Sequence, residues 1–129
     1  MTHEPGGLVL IAEDDPLLVS LLEHNLLAAG YRVETAHDGQ EAVDRIRELL
    51  PSVIVMELIM PVMGGYQVIE ELKADERLRN IPVILLSGSA EAEYRDSGSP
   101  PADFQLQKPF DPDELLARIA GLMDRAGTH

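Results

Sequence analysis

Apolar positions in this chain fall in blocks. Three short runs, Leu8–Ala12, Val53–Met56 and Val83–Leu86, are almost unbroken in Val, Ile and Leu. Strands covered on both faces read that way, because neither side of the pleat meets water. Tyr31–Ala36 is a weaker run of the same kind, and Asp103–Gln107 is a fifth and poorer one. Between the runs the apolar spacing becomes helical. Leu18, Leu21, Leu22, Leu26 and Ala29 follow Asp15-Pro16, a side-chain cap with proline at the first helical position. Gly30 suits the residue just past that helix. Asp38 and Glu41 form a capping-box-like pair before Ala42, Val43, Ile46, Leu49 and Leu50, and Pro51 stops the pattern. Gly65–Ala74 carries Val68, Ile69 and Leu72 on one side. Asp111-Pro112-Asp113-Glu114 repeats the cap-and-proline signal before Leu115, Leu116, Ile119, Leu122 and Met123.

The order is strand then helix, five times over. Such alternation implies right-handed crossovers onto a parallel sheet, an α/β fold. A closed eight-fold barrel needs about twice this length, so an open doubly wound sheet fits. Ser87–Pro101, SGSAEAEYRDSGSPP, breaks the pattern: it has few large apolar residues, and Ser97 to Pro101 would end a helix early. A short or irregular fourth helix near Ala90–Asp96, with a loop after it, is expected. One domain over 8–123 follows, with tails at 1–7 and 124–129.

Charge narrows the partners. The 129 residues hold 23 acids against 10 Lys and Arg, a net charge of −13. Nucleic acid and anionic membranes demand a basic face, so neither is expected as a partner, whereas cations and basic protein surfaces are. The absence of cysteine excludes disulfides, thiolate metal sites and cysteine nucleophiles. No apolar run approaches the ~20 residues of a membrane span. Met1–Gly7 lacks the regions of a signal peptide, so a cytoplasmic location is the default expectation.

Open parallel sheets bind ligands beyond the carboxyl ends of their strands. Here the first strand ends in Glu13-Asp14-Asp15, the third in Glu57, the fourth in Ser87 and the fifth in Lys108-Pro109. Carboxylates gathered from adjacent strand ends repel one another unless a hard cation joins them, and oxygen ligands suit Mg²⁺. A hydroxyl and an amine beside such a site suit a phosphate. Asp15 reads as a helix cap. His3, His24, His37 and His129 have no ligand spacing, and Met60 and Met63 fit loop packing.

With LVLIAEDDP, GYRVETAHDGQEA, PSVIVMELIMPVMGG, VILLSG and ADFQLQKPF in this order and spacing, the chain resembles the receiver domains of two-component response regulators over about residues 8–123. The resemblance implies a flavodoxin-like five-stranded sheet in the order 2-1-3-4-5. It implies a non-enzymatic signalling role through protein contacts, with a sensor histidine kinase or phosphotransfer protein upstream and a protein target downstream. Carried over by position, Glu57 stands at the phosphoacceptor. Glu13, Asp14, Glu57 and the backbone carbonyl of Ile59 would surround Mg²⁺, with Asp14 as the direct ligand and Glu13 acting mostly through water. Ser87 and Lys108 would meet the phosphoryl group, Gln105 would occupy the switch position, and the Lys108-Pro109 bond would be cis.

The chain departs from the family pattern at Glu57, where the family has Asp, and at Gln105, where it has Tyr or Phe. Gly64, where Asp is common, remains an acceptable cap. The altered stretch around residues 87–101 is a further departure. The extra methylene of Glu57 moves its carboxylate outward by about 1.5 Å, one C–C bond. Misplacement on that scale can cost about 10² in a positioned reaction. The expectation is therefore a phosphorylation-independent or phospho-mimicking receiver, with Mg²⁺ weakened or optional. A phosphorylation-competent receiver is the first alternative. A Mg²⁺-dependent phosphatase-like enzyme is the second, although Ile59 stands where its second Asp would be. Flavin binding is the third, although EDDP makes the first loop anionic.

Overall fold

The computed structural model describes residues 7–88 and 102–127. Strand β1 (Leu8–Ala12) leads into helix α1 (Pro16–Ala28), then β2 (Arg32–Ala36), α2 (Gly39–Leu49), β3 (Val53–Glu57), α3 (Gly65–Lys73), β4 (Val83–Ser87), β5 (Phe104–Gln107) and α4 (Pro112–Gly127). All neighbouring strands are parallel, in the order β2-β1-β3-β4-β5. The doubly wound α/β topology and its strand order agree with the expectation. The helix expected near residues 90–96 lies outside the described residues.

The unbroken apolar runs are the three central strands, buried at every position. Because side chains alternate across a strand, each run feeds two cores. Leu10, Ile54, Met56 and Leu85 face α2 and α3, packing with Val43, Ile46, Val68, Ile69 and Leu72. Val9, Ile11, Val55, Ile84 and Leu86 face α1 and α4, packing with Leu22, Leu26, Leu115, Ile119 and Leu122. The two weaker runs are the edge strands β2 and β5, which are only partly covered.

The caps act much as their residue types suggest. Asp15 accepts from Leu17 N at 3.0 Å, and Pro16 opens α1. Gly30, at φ 96°, ends it; Gly30 N donates to the Leu27 carbonyl and Tyr31 N to that of Leu26. This paired pattern needs a left-handed residue, which glycine adopts without a Cβ penalty. Asp38 accepts from Glu41 N at 2.8 Å, but the Glu41 carboxylate accepts from His37 N, one residue earlier than the usual reciprocal donor.

Two expected boundaries move. Helix α4 continues to Gly127, so residues 124–127 extend it instead of belonging to a tail; Asp124, Arg125 and Ala126 contain no helix breaker. At the other end Gly7 accepts from Arg32 N at 3.2 Å, which ties it to the sheet.

Candidate functional site

Parallel pairing brings the carboxyl ends of β1, β3, β4 and β5 to one edge, and the polar side chains named above stand there. Glu57 is the last residue of β3 and is buried. Its Oε2 accepts from Leu58 N at 3.1 Å, and its Oε1 is ion-paired with Lys108 Nζ. Glu13 follows β1 directly and is also buried; its own N–H donates to the Ala36 carbonyl. Glu13 Oε2 accepts from Asp15 N at 3.0 Å. Glu13 Oε1 has no hydrogen-bond partner among the described residues, but lies 3.7 Å from Lys108 Nζ. One ammonium therefore touches two buried carboxylates.

Burial drives the Glu13 carboxyl up to about 7, and Glu57 beside it pushes the same way. The Asp15 N–H and the Lys108 charge offset part of that rise. Two acids against one amine leave the cluster one negative charge in excess when both are ionised. Such a site holds a proton, or another cation, more tightly than water does.

Lys108 is positioned by backbone. Its N–H donates to the Ser87 carbonyl at 2.7 Å, and its bond to Pro109 is cis. Ser87, fully buried at the end of β4, accepts from Gln105 Nε2 at 3.3 Å. Asp14 is exposed, and so is the side chain of Ile59, at 59%. No group of three or more His, Asp or Glu is arranged as a metal cage among the described residues. Mg²⁺ does not need one, since it usually takes one or two carboxylates and keeps waters. The two buried carboxylates, each with one oxygen that has no hydrogen bond among the described residues, are a donor set that suits a hard cation.

Three features here carried no signal in the sequence. The loop after Glu57 is pressed onto the start of α2: a Cβ on Gly39 would collide with the Met63 carbonyl oxygen. Glycine permits that approach, which fixes the loop beside the site. Val62 in the same loop has φ 70°, and its side chain is 77% exposed. A β-branched residue is rarely found there. A groove of about 410 Å³, lined by Leu18, Leu21, Lys108, Pro109, Phe110 and Pro112, opens beside the cluster.

The sequence profile of the response regulator receiver domain matches residues 9–120. The chain belongs to that family. It is 38% identical over 121 residues to the DNA-binding dual master transcriptional regulator RpaA of Synechocystis, covering 91% of this chain and 49% of that protein. It thus spans about half the length of several curated relatives it matches. Among solved structures it is similar to the signal receiver domain of a histidine kinase from Syntrophus aciditrophicus, with a TM-score of 0.84 and 30% identity, covering 95% of this chain and 94% of that one. It is also similar to the receiver domain of the sensor histidine kinase PA1611 from Pseudomonas aeruginosa, solved with magnesium in its active-site cleft. There the TM-score is 0.83 and the identity 30%, covering 92% of this chain and 98% of that one. As a receiver, this chain is a two-component signalling domain. No helix among its described residues is long and apolar enough to cross a membrane.

Proposed function

We propose that this chain is a cytoplasmic receiver whose state is set by an internal ion pair, with Glu57 standing in place of a phosphorylated residue. The observation that carries this reading is Lys108 Nζ paired with Glu57 while it also approaches Glu13. The longer Glu side chain delivers its carboxylate to the amine that would otherwise meet a phosphoryl oxygen. Such a receiver works through protein contacts, with a histidine kinase or phosphotransfer protein and a downstream protein as partners. The exposed Leu17 and Leu21, next to the apolar groove, supply surface for such contacts.

Glu13, Asp14, Glu57 and the Ile59 carbonyl would hold Mg²⁺, which neutralises charge on a transferring phosphoryl group when bound. In this chain Lys108 already supplies part of that positive charge, so Mg²⁺ is optional for the state described. Incubation with Mg²⁺ and acetyl phosphate, followed by intact mass, tests the reading. In the Glu57→Asp variant a carboxylate oxygen bonds to phosphorus as the P–O bond to the acetyl group breaks, its electron pair leaving with acetate. The variant is expected to gain one phosphoryl mass and the unaltered chain none. A phosphoryl group on Glu57 would replace this reading with that of a phosphorylation-competent receiver.

A further inference from the structure

Gln105 sits on an edge strand with its side chain exposed, yet it reaches a fully buried hydroxyl. The register explains how. Gln105 pairs with Leu85 and Gln107 with Ser87, so Gln105 and Ser87 are diagonal neighbours on one face of the β4–β5 pair. Phe104 and Leu106 take the opposite face, in the core shared with α4, where Arg118 lies over the Phe104 ring at 4.5 Å. The pleat therefore commits Gln105 to the Ser87 side.

The direction of this bond has a consequence for the site. Gln105 Nε2 donates and Ser87 Oγ accepts. A serine hydroxyl has one hydrogen to give, and here it is not spent on Gln105. Accepting one hydrogen bond also strengthens the bond the same hydroxyl donates. Ser87 ends β4 beside Leu86, which pairs with Glu57, so the hydroxyl stands at the level of the carboxylate cluster. We propose that Gln105 is a positioning residue that keeps the Ser87 hydroxyl hydrogen available to an oxyanion at the Glu57 end of the sheet edge. The phosphoryl group that the Glu57→Asp protein takes up is the ligand on which this role is read. The inference rests on reading this edge as a phosphoryl-recognising site, and it assigns to a surface amide the orientation of a buried donor.

Two measurements test it. In the unaltered chain, the ¹⁵N–¹H signals of the Gln105 side-chain amide are expected to move toward those of a free glutamine amide when Ser87→Ala is introduced. Unmoved signals overturn the proposal, because no bond then joins the two side chains. The second measurement is labelling by acetyl phosphate and Mg²⁺ in the Glu57→Asp background. Adding Gln105→Met, of similar length but without the donor, is expected to slow labelling by about fivefold. Adding Gln105→Glu, which can only accept, is expected to slow it by about tenfold or more, because Ser87 must then donate to the new carboxylate. Ser87→Ala on top of Gln105→Met should add little beyond the loss from Ser87→Ala alone, a non-additivity that a general structural effect would not produce. Equal labelling with and without Gln105→Met overturns the positioning role alone. A Glu57→Asp protein that takes up no phosphoryl group overturns the reading of the site, and the positioning role with it.

Discussion

The sheet edge has two halves, held by different physics. On the β1–β3 side two buried carboxylates share one ammonium. On the β4–β5 side a buried hydroxyl accepts one neutral bond from an exposed amide. The charged half is dependent on its amine: removing the part-exposed ammonium leaves two carboxylates buried and uncompensated. The neutral half is tolerant, because its outer partner can turn to water. The loop that follows Glu57 also holds the strained residue Val62. The difference separates the part of the site that sets stability from the part that adjusts a single donor.

Removing the shared ammonium breaks the charged half outright. Lys108→Met is expected to destabilise the fold by about 3 kcal/mol at neutral pH, the low end of the range for stripping one partner from a buried ion pair, because the amine is part-exposed. Urea denaturation measures it. The loss should shrink as pH falls, since protonated carboxyls no longer need the amine. A loss that stays constant from neutral to acid pH would assign the effect to packing of the lysine stem.

The next effect needs no substitution. The folded-state pKa of Glu13 is raised to about 7 from an ordinary value of 4.5. Between those values the folded chain holds a proton that the unfolded chain has released, so stability falls as pH rises through that window. The fall from this group is at most about 3 kcal/mol. It should be flattened by Glu13→Gln, which cannot ionise, and reduced by millimolar Mg²⁺, which replaces the proton as counter-charge. Denaturation midpoints across the window, with and without Mg²⁺, give the sign directly.

The two halves also differed in how readable they were. Glu13, Glu57, Ser87 and Lys108 were legible because each follows or ends an apolar run, and the parallel topology forces those ends to one edge. The central strands were legible for a related reason, since burial on both faces leaves no polar position. The pairings were not. The sequence does not say that Lys108 bridges Glu57 and Glu13 while Asp14 stays exposed, because side-chain reach depends on distances set by the whole sheet. Gln105 was noticed only as a departure from a family pattern; its bond to Ser87 required the β4–β5 register. The Gly39–Met63 approach and the Val62 backbone were invisible because they are imposed by closure of the loop. The end of α4 was missed since nothing in residues 124–126 marks a stop.

Strain in that loop gives a smaller effect of opposite sign. Val62→Gly removes the Cβ from a left-handed residue whose side chain is largely exposed. It should stabilise the fold by about 1 kcal/mol, the strain relieved exceeding the added freedom of the unfolded chain. A thermal midpoint that falls would show that Val62 is held by contacts worth more than its strain.

The smallest effects belong to the neutral half, and their order is informative. Gln105→Met removes the donor and leaves the buried Ser87 oxygen without the bond it accepts. Leaving a buried polar atom unpaired costs about 1 kcal/mol or slightly more. Ser87→Ala removes the buried atom itself and frees Gln105, already exposed, to hydrogen-bond with water. That change should cost less than about 0.5 kcal/mol, because no buried group is left unsatisfied. The double variant should match Ser87→Ala, making it more stable than Gln105→Met alone. In the charged half the same logic predicts the same cooperation on a larger scale: Glu57→Gln added to Lys108→Met should recover much of the loss by removing one of the two stranded charges. Equilibrium denaturation of these variants under one buffer condition compares the halves. If Ser87→Ala proves as costly as Lys108→Met, the distinction between a dependent and a tolerant half is wrong.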